Sequence, residues 1–187
     1  MDRSMSFKSK VHLLTIALMA ANTLCNRTVA AAPQVEEAAT TPDAGTGVIS
    51  EEARAKIERA LPTKAIASPK KDRKLLIFDV NAGYPGHPSR YFANLAVQRM
   101  GERTGAFETV ISRDPSIFEA DSLRQFDAVF LNNTVGNLFI DPKLRQSLLE
   151  FVVSGGGLLG VHGTSVAFTH WPGAREDWPE FGVMIGG

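Results

Sequence analysis

The chain has 187 residues, one cysteine, and 20 Lys+Arg against 20 Asp+Glu, so its formal net charge is zero. That balance argues against a dedicated nucleic-acid binder, which carries a basic excess on one face. An apolar content of 44% argues against wholesale disorder, and a lone cysteine excludes an intrachain disulfide or a cysteine-built zinc cage.

In chain order, Arg3, Lys8 and Lys10 precede a mostly apolar run over 11–24, followed by the small residues Thr28-Val29-Ala30-Ala31-Ala32-Pro33. The run is shorter than the roughly 20 residues that span a bilayer. Residues 1–32 are therefore read as a secretory signal peptide, and the protein is expected to be exported, to the periplasm or the extracellular space. An uncleaved anchor is the alternative. Cys25 raises a lipoprotein reading, but the preceding Leu24 stands where a lipobox has a small residue. Cleavage after Ala30 to Ala32 leaves a mature chain with neither a cysteine nor a transmembrane helix.

Residues 33–73 read as a tethering linker, largely disordered, with one short helix near 50–61. Ser50 caps that helix, Ala53, Ile57 and Ala60 or Leu61 lie near one face, and Pro62 stops it. Docking on the domain and plain disorder both remain open for it. The cluster Lys70-Lys71-Asp72-Arg73-Lys74 reads as the solvated approach to a strand.

The domain proper is placed at 74–187, where 9 Lys/Arg face 12 Asp/Glu. Leu75 to Val80 is a nearly continuous apolar run, as in a strand covered on both faces. Residues 89–104 have helical spacing: Phe92, Leu95, Ala96 and Met100 share a face, Ser89 is the expected cap and Gly105 the stop. A second strand is expected over 107–111, a short helix or turn within 115–126, and a third strand over 127–131. Asp141 and Pro142 open a helix over 142–153, the glycines 155–157 end it, and a fourth strand comes next over 158–161. Strands separated by such helices give right-handed crossovers and a doubly wound α/β parallel sheet.

Ligands bind such sheets beyond the carboxyl ends of the strands, where the strand order reverses. Three polar loops occupy that edge: Asn81 to Arg90, Asn132 to Asn137, and His162 to Ser165. His87 stands just ahead of a helix, and His162 in a Gly-Val-His-Gly turn after a strand, which lifts a side chain into the crevice as a nucleophile elbow does. Imidazole exchanges protons near neutrality, so either histidine can serve as acid or base, or can simply hold loop shape. A metal held by His87, His162 and His170 has no supporting ligand spacing, and the site is read as metal-free. Asp79, placed inside the first strand, reads as a satisfied buried carboxylate. There is no Gly-x-Ser-x-Gly elbow, no phosphate-binding P-loop and no dinucleotide fingerprint, and the cofactor is left unknown.

Three segments carry a family resemblance. Lys74 to Ser89 (KLLIFDVNAGYPGHPS), Asp127 to Thr134 (DAVFLNNT) and Gly155 to His162 (GGGLLGVH) resemble the ThuA-like, trehalose-utilisation domain. Phe168, Trp171-Pro172 and the terminal Met184 to Gly187 are similar to the family's segment after the elbow. The resemblance covers 74–187 and implies a flavodoxin-like, class I glutamine amidotransferase-like sandwich. Amidotransferases place a cysteine at the elbow, where this chain has His162, so thioester chemistry is not available.

On that resemblance the ligand is a small carbohydrate, a disaccharide or keto-sugar, with His87 and His162 as acid/base candidates. Gly83, Tyr84, Ser89, Asn132, Asn133, Thr134, Gly163 and Thr164 are the expected ligand-binding residues. Two functions stay open: an exported sugar-modifying enzyme, and a catalytically silent carbohydrate-binding or accessory domain. Self-association, or fusion to further domains in a longer protein, is expected. The family's domain continues beyond the terminal Gly-Gly, so the sheet is expected to be incomplete at the C-terminus and the chain to be a fragment.

Overall fold

Apolar β-branched and aromatic segments alternating with amphipathic ones give a single parallel sheet with helices against it. A computed structural model describes residues 47–170 and 176–186. All of them lie in the unit Thr41–Gly187. The expected signal peptide, Cys25, the first part of the linker, Trp171-Pro172 and Gly187 lie outside the described residues.

The elements in order are α1 (Glu51–Ala60), β1 (Lys74–Phe78), α2 (Ser89–Thr104), β2 (Glu108–Ser112), a 3-10 turn (Pro115–Phe118) and α3 (Ala120–Leu123). Then come β3 (Ala128–Asn132), α4 (Pro142–Val153), β4 (Gly157–Val161), a second 3-10 turn (His162–Val166) and α5 (Pro179–Met184). The sheet order is β2-β1-β3-β4, with every pairing parallel. The order reverses between β1 and β3, the usual crevice of a flavodoxin-like sheet.

Local chemistry accounts for most boundaries. Ser50 Oγ accepts from Ala53 N at 3.2 Å to cap α1, and Asp141 Oδ1 accepts from Lys143 N at 2.9 Å to cap α4, with Pro142 in its first turn. Gly105 ends α2 at a left-handed φ of 63°, a conformation glycine reaches without steric cost. Two expectations are corrected. Ser89 does not cap α2: Pro88 takes the cap position in helical geometry, and Ser89 is an exposed first-turn residue. β1 ends at Phe78, so Asp79 comes after the strand rather than lying in it.

α1 carries no buried residue. It is tied to α2 by Arg99 Nε to Glu58 at 2.5 Å and by Arg103 to the Glu58 carbonyl. The main core sits on one face of the sheet. Leu76, Phe78, Val129 and Leu131 pack there with Phe118, Leu123, Leu148, Phe168 and Phe181, and all nine are 2% exposed or less. Alternation along β1 turns the equally buried Ile77 to the opposite face. On α2 the residues truly out of solvent are Asn94 and Gly101 rather than the apolar stripe. A Cβ at Gly101 would lie 2.4 Å from the Phe107 carbonyl oxygen, so the α2–β2 turn needs glycine there. β4 is an edge strand, and its Leu159 and Val161 are exposed.

At the opposite end of the sheet from the crevice, the Asp127 carboxylate meets Lys71 at 2.8 Å, Arg73 at 2.7 Å and the Lys74 N–H at 3.0 Å. These donors hold its carboxyl well below the usual carboxylate range, Lys71 contributing most. A depressed folded value means stability that is present above the unfolded value of about 4 and lost as pH falls through the folded one. Asp127→Asn is thus expected to lower the urea midpoint at pH 7 and to flatten its fall between about pH 5 and pH 2. A variant whose midpoint falls as steeply as the wild type's would remove Asp127 from the acid limb.

Candidate functional site

Three loops meet at the carboxyl edge of the sheet and are sewn together by backbone bonds. Ala82 N donates to the Val135 carbonyl at 2.8 Å, and Phe168 N to that of Gly136 at 3.0 Å. Isolated parallel bridges, Asn81 with Val135 and Gly136 with Ala167, prolong the sheet beyond its strands. A Cβ on Gly136 would lie 2.0 Å from the Ala82 carbonyl oxygen, so only glycine permits this approach. Among the described residues three non-glycine residues have positive φ: Asn133 at 54°, His162 at 52° and Phe168 at 55°. Asn133 and His162 stand in these loops and Phe168 just after the third, and such strain gathers where a structure must aim a side chain.

His162 therefore occupies a strained strand-to-turn elbow, as its sequence context predicts. Its exposed ring stacks on His87 with centroids 5.0 Å apart and planes 27° from parallel. His87 is half-buried, and its Nε2 lies 3.2 Å from the Tyr84 hydroxyl, with the Tyr84 ring edge-on at 5.5 Å. Two histidines 75 positions apart in the chain thus stack on one another, with Tyr84 bracing the more buried His87. Among the described residues nothing bonds the ring nitrogens of His162, which leaves both edges of that imidazole available.

The other expected ligand residues divide sharply. Gly83 and Ser89 are exposed, and Tyr84 is half-buried. Asn132, Thr134 and Thr164 are 1% exposed or less, and their polar groups are engaged inside the protein. Asn132 Nδ2 donates to the Arg90 carbonyl at 2.8 Å and to Asn94 Oδ1 at 2.7 Å, which uses both of its hydrogens. Thr164 Oγ1 donates to the Leu131 carbonyl at 2.9 Å. Its one proton being so placed, the Thr134 hydroxyl, 3.1 Å away, must donate to it. In this structure these three side chains tie the loops together from within.

Asn133 is intermediate. It is 3% exposed, and its Oδ1 accepts from Gly163 N at 3.2 Å. Gly163 is buried, and a Cβ there would lie 2.6 Å from Val135 and 2.8 Å from Asn133, so it too is framework. His170 is exposed, and its backbone N–H donates to Asp177. Among the described residues no group of three or more His, Cys, Asp or Glu is assembled that could hold a metal ion.

Behind the crevice runs a buried polar chain that sequence reasoning found only in part. Asp79 is 1% exposed, and it accepts from Arg113 Nε at 2.6 Å, Arg113 Nη2 at 2.8 Å and Asn94 Nδ2 at 2.7 Å. Asn94 passes the chain to Asn132 and so to the first turn of α2. The expectation of a satisfied buried Asp79 agrees with these bonds. The same bonds raise the Arg113 guanidinium above its usual range. The signal for Asn94 was one polar residue within the apolar stretch Phe92 to Val97 of α2, and none marked Arg113.

A family model described as ThuA, trehalose utilisation, matches residues 74–187. A solved structure of a ThuA-like protein from Bacteroides uniformis is 20% identical, with a TM-score of 0.45, over 63% of this chain and 45% of that one. The chain thus spans less than half the length of that protein. No curated protein matches the chain.

Proposed function

We propose, from the premise that the chain belongs to the trehalose-utilisation (ThuA) family, that its crevice takes a small carbohydrate and that His162 exchanges a proton with it. The observation that carries this reading is the stacked pair, His87 on His162 at 5.0 Å, at the switch point of the sheet. His162 is the acid or base, because its ring edges are available and its elbow holds it at φ 52°. His87, braced by Tyr84, is the platform that fixes the His162 ring and shares any charge it gains. Gly83, Tyr84 and Ser89 form the mouth that a sugar ring crosses. Export rests on the apolar run over 11–24 and the small residues after it.

The test is to titrate the full chain with trehalose, other disaccharides and their 3-keto forms, monitoring both binding and product. Turnover of one of them supports the enzyme. Binding without product assigns an accessory, non-catalytic role to the same crevice. If neither these sugars nor their charged derivatives are bound or converted, the carbohydrate reading fails.

A further inference from the structure

Among the described residues four buried side-chain atoms lack a hydrogen-bond partner: both amide atoms of Asn81, Nε of Arg90 and Nδ2 of Asn133. All four belong to residues at the crevice edge. Native proteins rarely leave such atoms unpaired, because each loses its hydration without replacement.

Arg90 also lacks a counter-charge. Its guanidinium donates to the Pro85 carbonyl and the Tyr91 hydroxyl, both at 2.9 Å, and lies 4.8 Å from the Tyr91 ring centroid. All of those partners are neutral, and among the described residues no carboxylate pairs with it. Asp79, the buried acid of this region, is already claimed by Arg113. α2 begins here with no side-chain cap and no acidic residue in its first turn, so the helix dipole adds to the positive potential.

Arg90 and Asn81 are adjacent. A Cβ on Gly86 would lie 2.0 Å from Arg90 Nη1 and 2.6 Å from Asn81 Nδ2, so both polar groups sit beneath the Gly83–Gly86 turn. Asn133, 3% exposed, stands two residues before the bridge that joins Val135 to Asn81. Three of the four unpartnered atoms are N–H donors, and one of those belongs to a cation. A hydroxyl oxygen accepts at most two such bonds and leaves the charge uncompensated. A carboxylate or phosphate accepts from the neighbouring Asn81 and Arg90 together and also neutralises Arg90.

We infer that this site holds the anionic group of the ligand, so that the crevice takes a sugar acid or a sugar phosphate rather than an unsubstituted neutral sugar. The inference rests on the carbohydrate reading above and adds the charge to it. Asn81 Oδ1 then accepts from a ligand hydroxyl. Because the unpartnered atoms are covered, the Gly83–Gly86 turn yields on binding, and glycine at φ 73° and 78° is suited to that.

The test is calorimetric titration of the full chain, at fixed ionic strength, with glucose, glucuronate, glucose 6-phosphate and inorganic phosphate. At least one charged sugar is expected to bind tenfold or more tightly than glucose, and Arg90→Gln to abolish that difference. Whether glucuronate or glucose 6-phosphate gains the advantage decides between carboxylate and phosphate. Asn81→Asp sets a repelling charge beside Arg90 without removing it, and is expected to cause the same loss should Arg90→Gln fail to fold. Glucose binding as tightly as its charged forms, or both variants binding them like the wild type, overturns the anion site and leaves the carbohydrate reading intact. Inorganic phosphate matching glucose 6-phosphate, with both lost in Arg90→Gln, keeps the anion site and overturns the carbohydrate reading. Absence of binding by every probe overturns the inference.

Discussion

If His162 exchanges a proton with the sugar, His162→Ala is expected to lower kcat/KM for the sugar identified by the titration by about 10²–10⁴-fold, the range for loss of one acid/base group. The same position separates chemistry from stability. At φ 52° a residue with a β-carbon is strained, by about 1–2 kcal/mol in the left-handed region. Alanine keeps that strain and loses the stack on His87, a contact of about 0.5–1.5 kcal/mol. Glycine loses the same stack but relieves the strain, against a smaller entropic cost of about 0.5–1 kcal/mol in the unfolded chain. His162→Gly is therefore expected to unfold at a higher urea concentration than His162→Ala, while being equally inactive. Full turnover in His162→Ala would end the proton-transfer role. An alanine variant as stable as the glycine one would end the account of the elbow as strained for function.

How far these features could be read in advance depended on the range of the interactions that set them. Short-range chemistry was legible: Asp141, Pro142 and the glycines after Ser154 bound α4 to within a residue, and Gly105 ends α2 as expected. β1, β2 and β3 lie one or two residues from where the apolar runs put them. Pairing register, not hydropathy, sets strand ends: Phe78 pairs with both Ser112 and Leu131, and Asp79 has no such partner. The meeting of His87 and His162 was legible because a topological rule sends both loops to one edge. The fate of the polar loop residues was not. Asn132, Thr134 and Thr164 have the composition of a ligand wall, yet their bonds run to residues 30–42 positions away, and residue type carries no record of that distance. Arg90 was hidden for the opposite reason, since it is distinguished by the lack of a carboxylate partner. Only the assembled loops reveal that.

The largest effect on the fold itself is expected at the Asp79–Arg113 pair. The Asp79 side chain is 0% exposed and Arg113 is 56% exposed, so the two ends are unequal. Asp79→Ala removes three charge-assisted bonds and strands Asn94 Nδ2 in the interior. The charge Asp79→Ala leaves behind is that of the exposed Arg113, so its cost is that of the stranded amide and the lost bonds, about 1–3 kcal/mol. Arg113→Ala leaves the buried carboxylate charged and without its counter-charge, with Asn94 as its remaining donor. Its cost is expected to be the larger, about 3–5 kcal/mol, because a buried charge is left uncompensated. The double variant leaves no unpaired charge, so it should cost at least about 1 kcal/mol less than the two single losses combined. Urea denaturation of the three variants measures this. Additive losses, or single losses below about 1 kcal/mol, would show that the pair does not anchor the fold. Because Asn94 carries the chain on to Asn132 and the Arg90 carbonyl, Asp79→Ala should also weaken ligand binding from behind the crevice. Asp79→Asn keeps the shape and an acceptor for one bond, so it should restore more of the binding than of the stability.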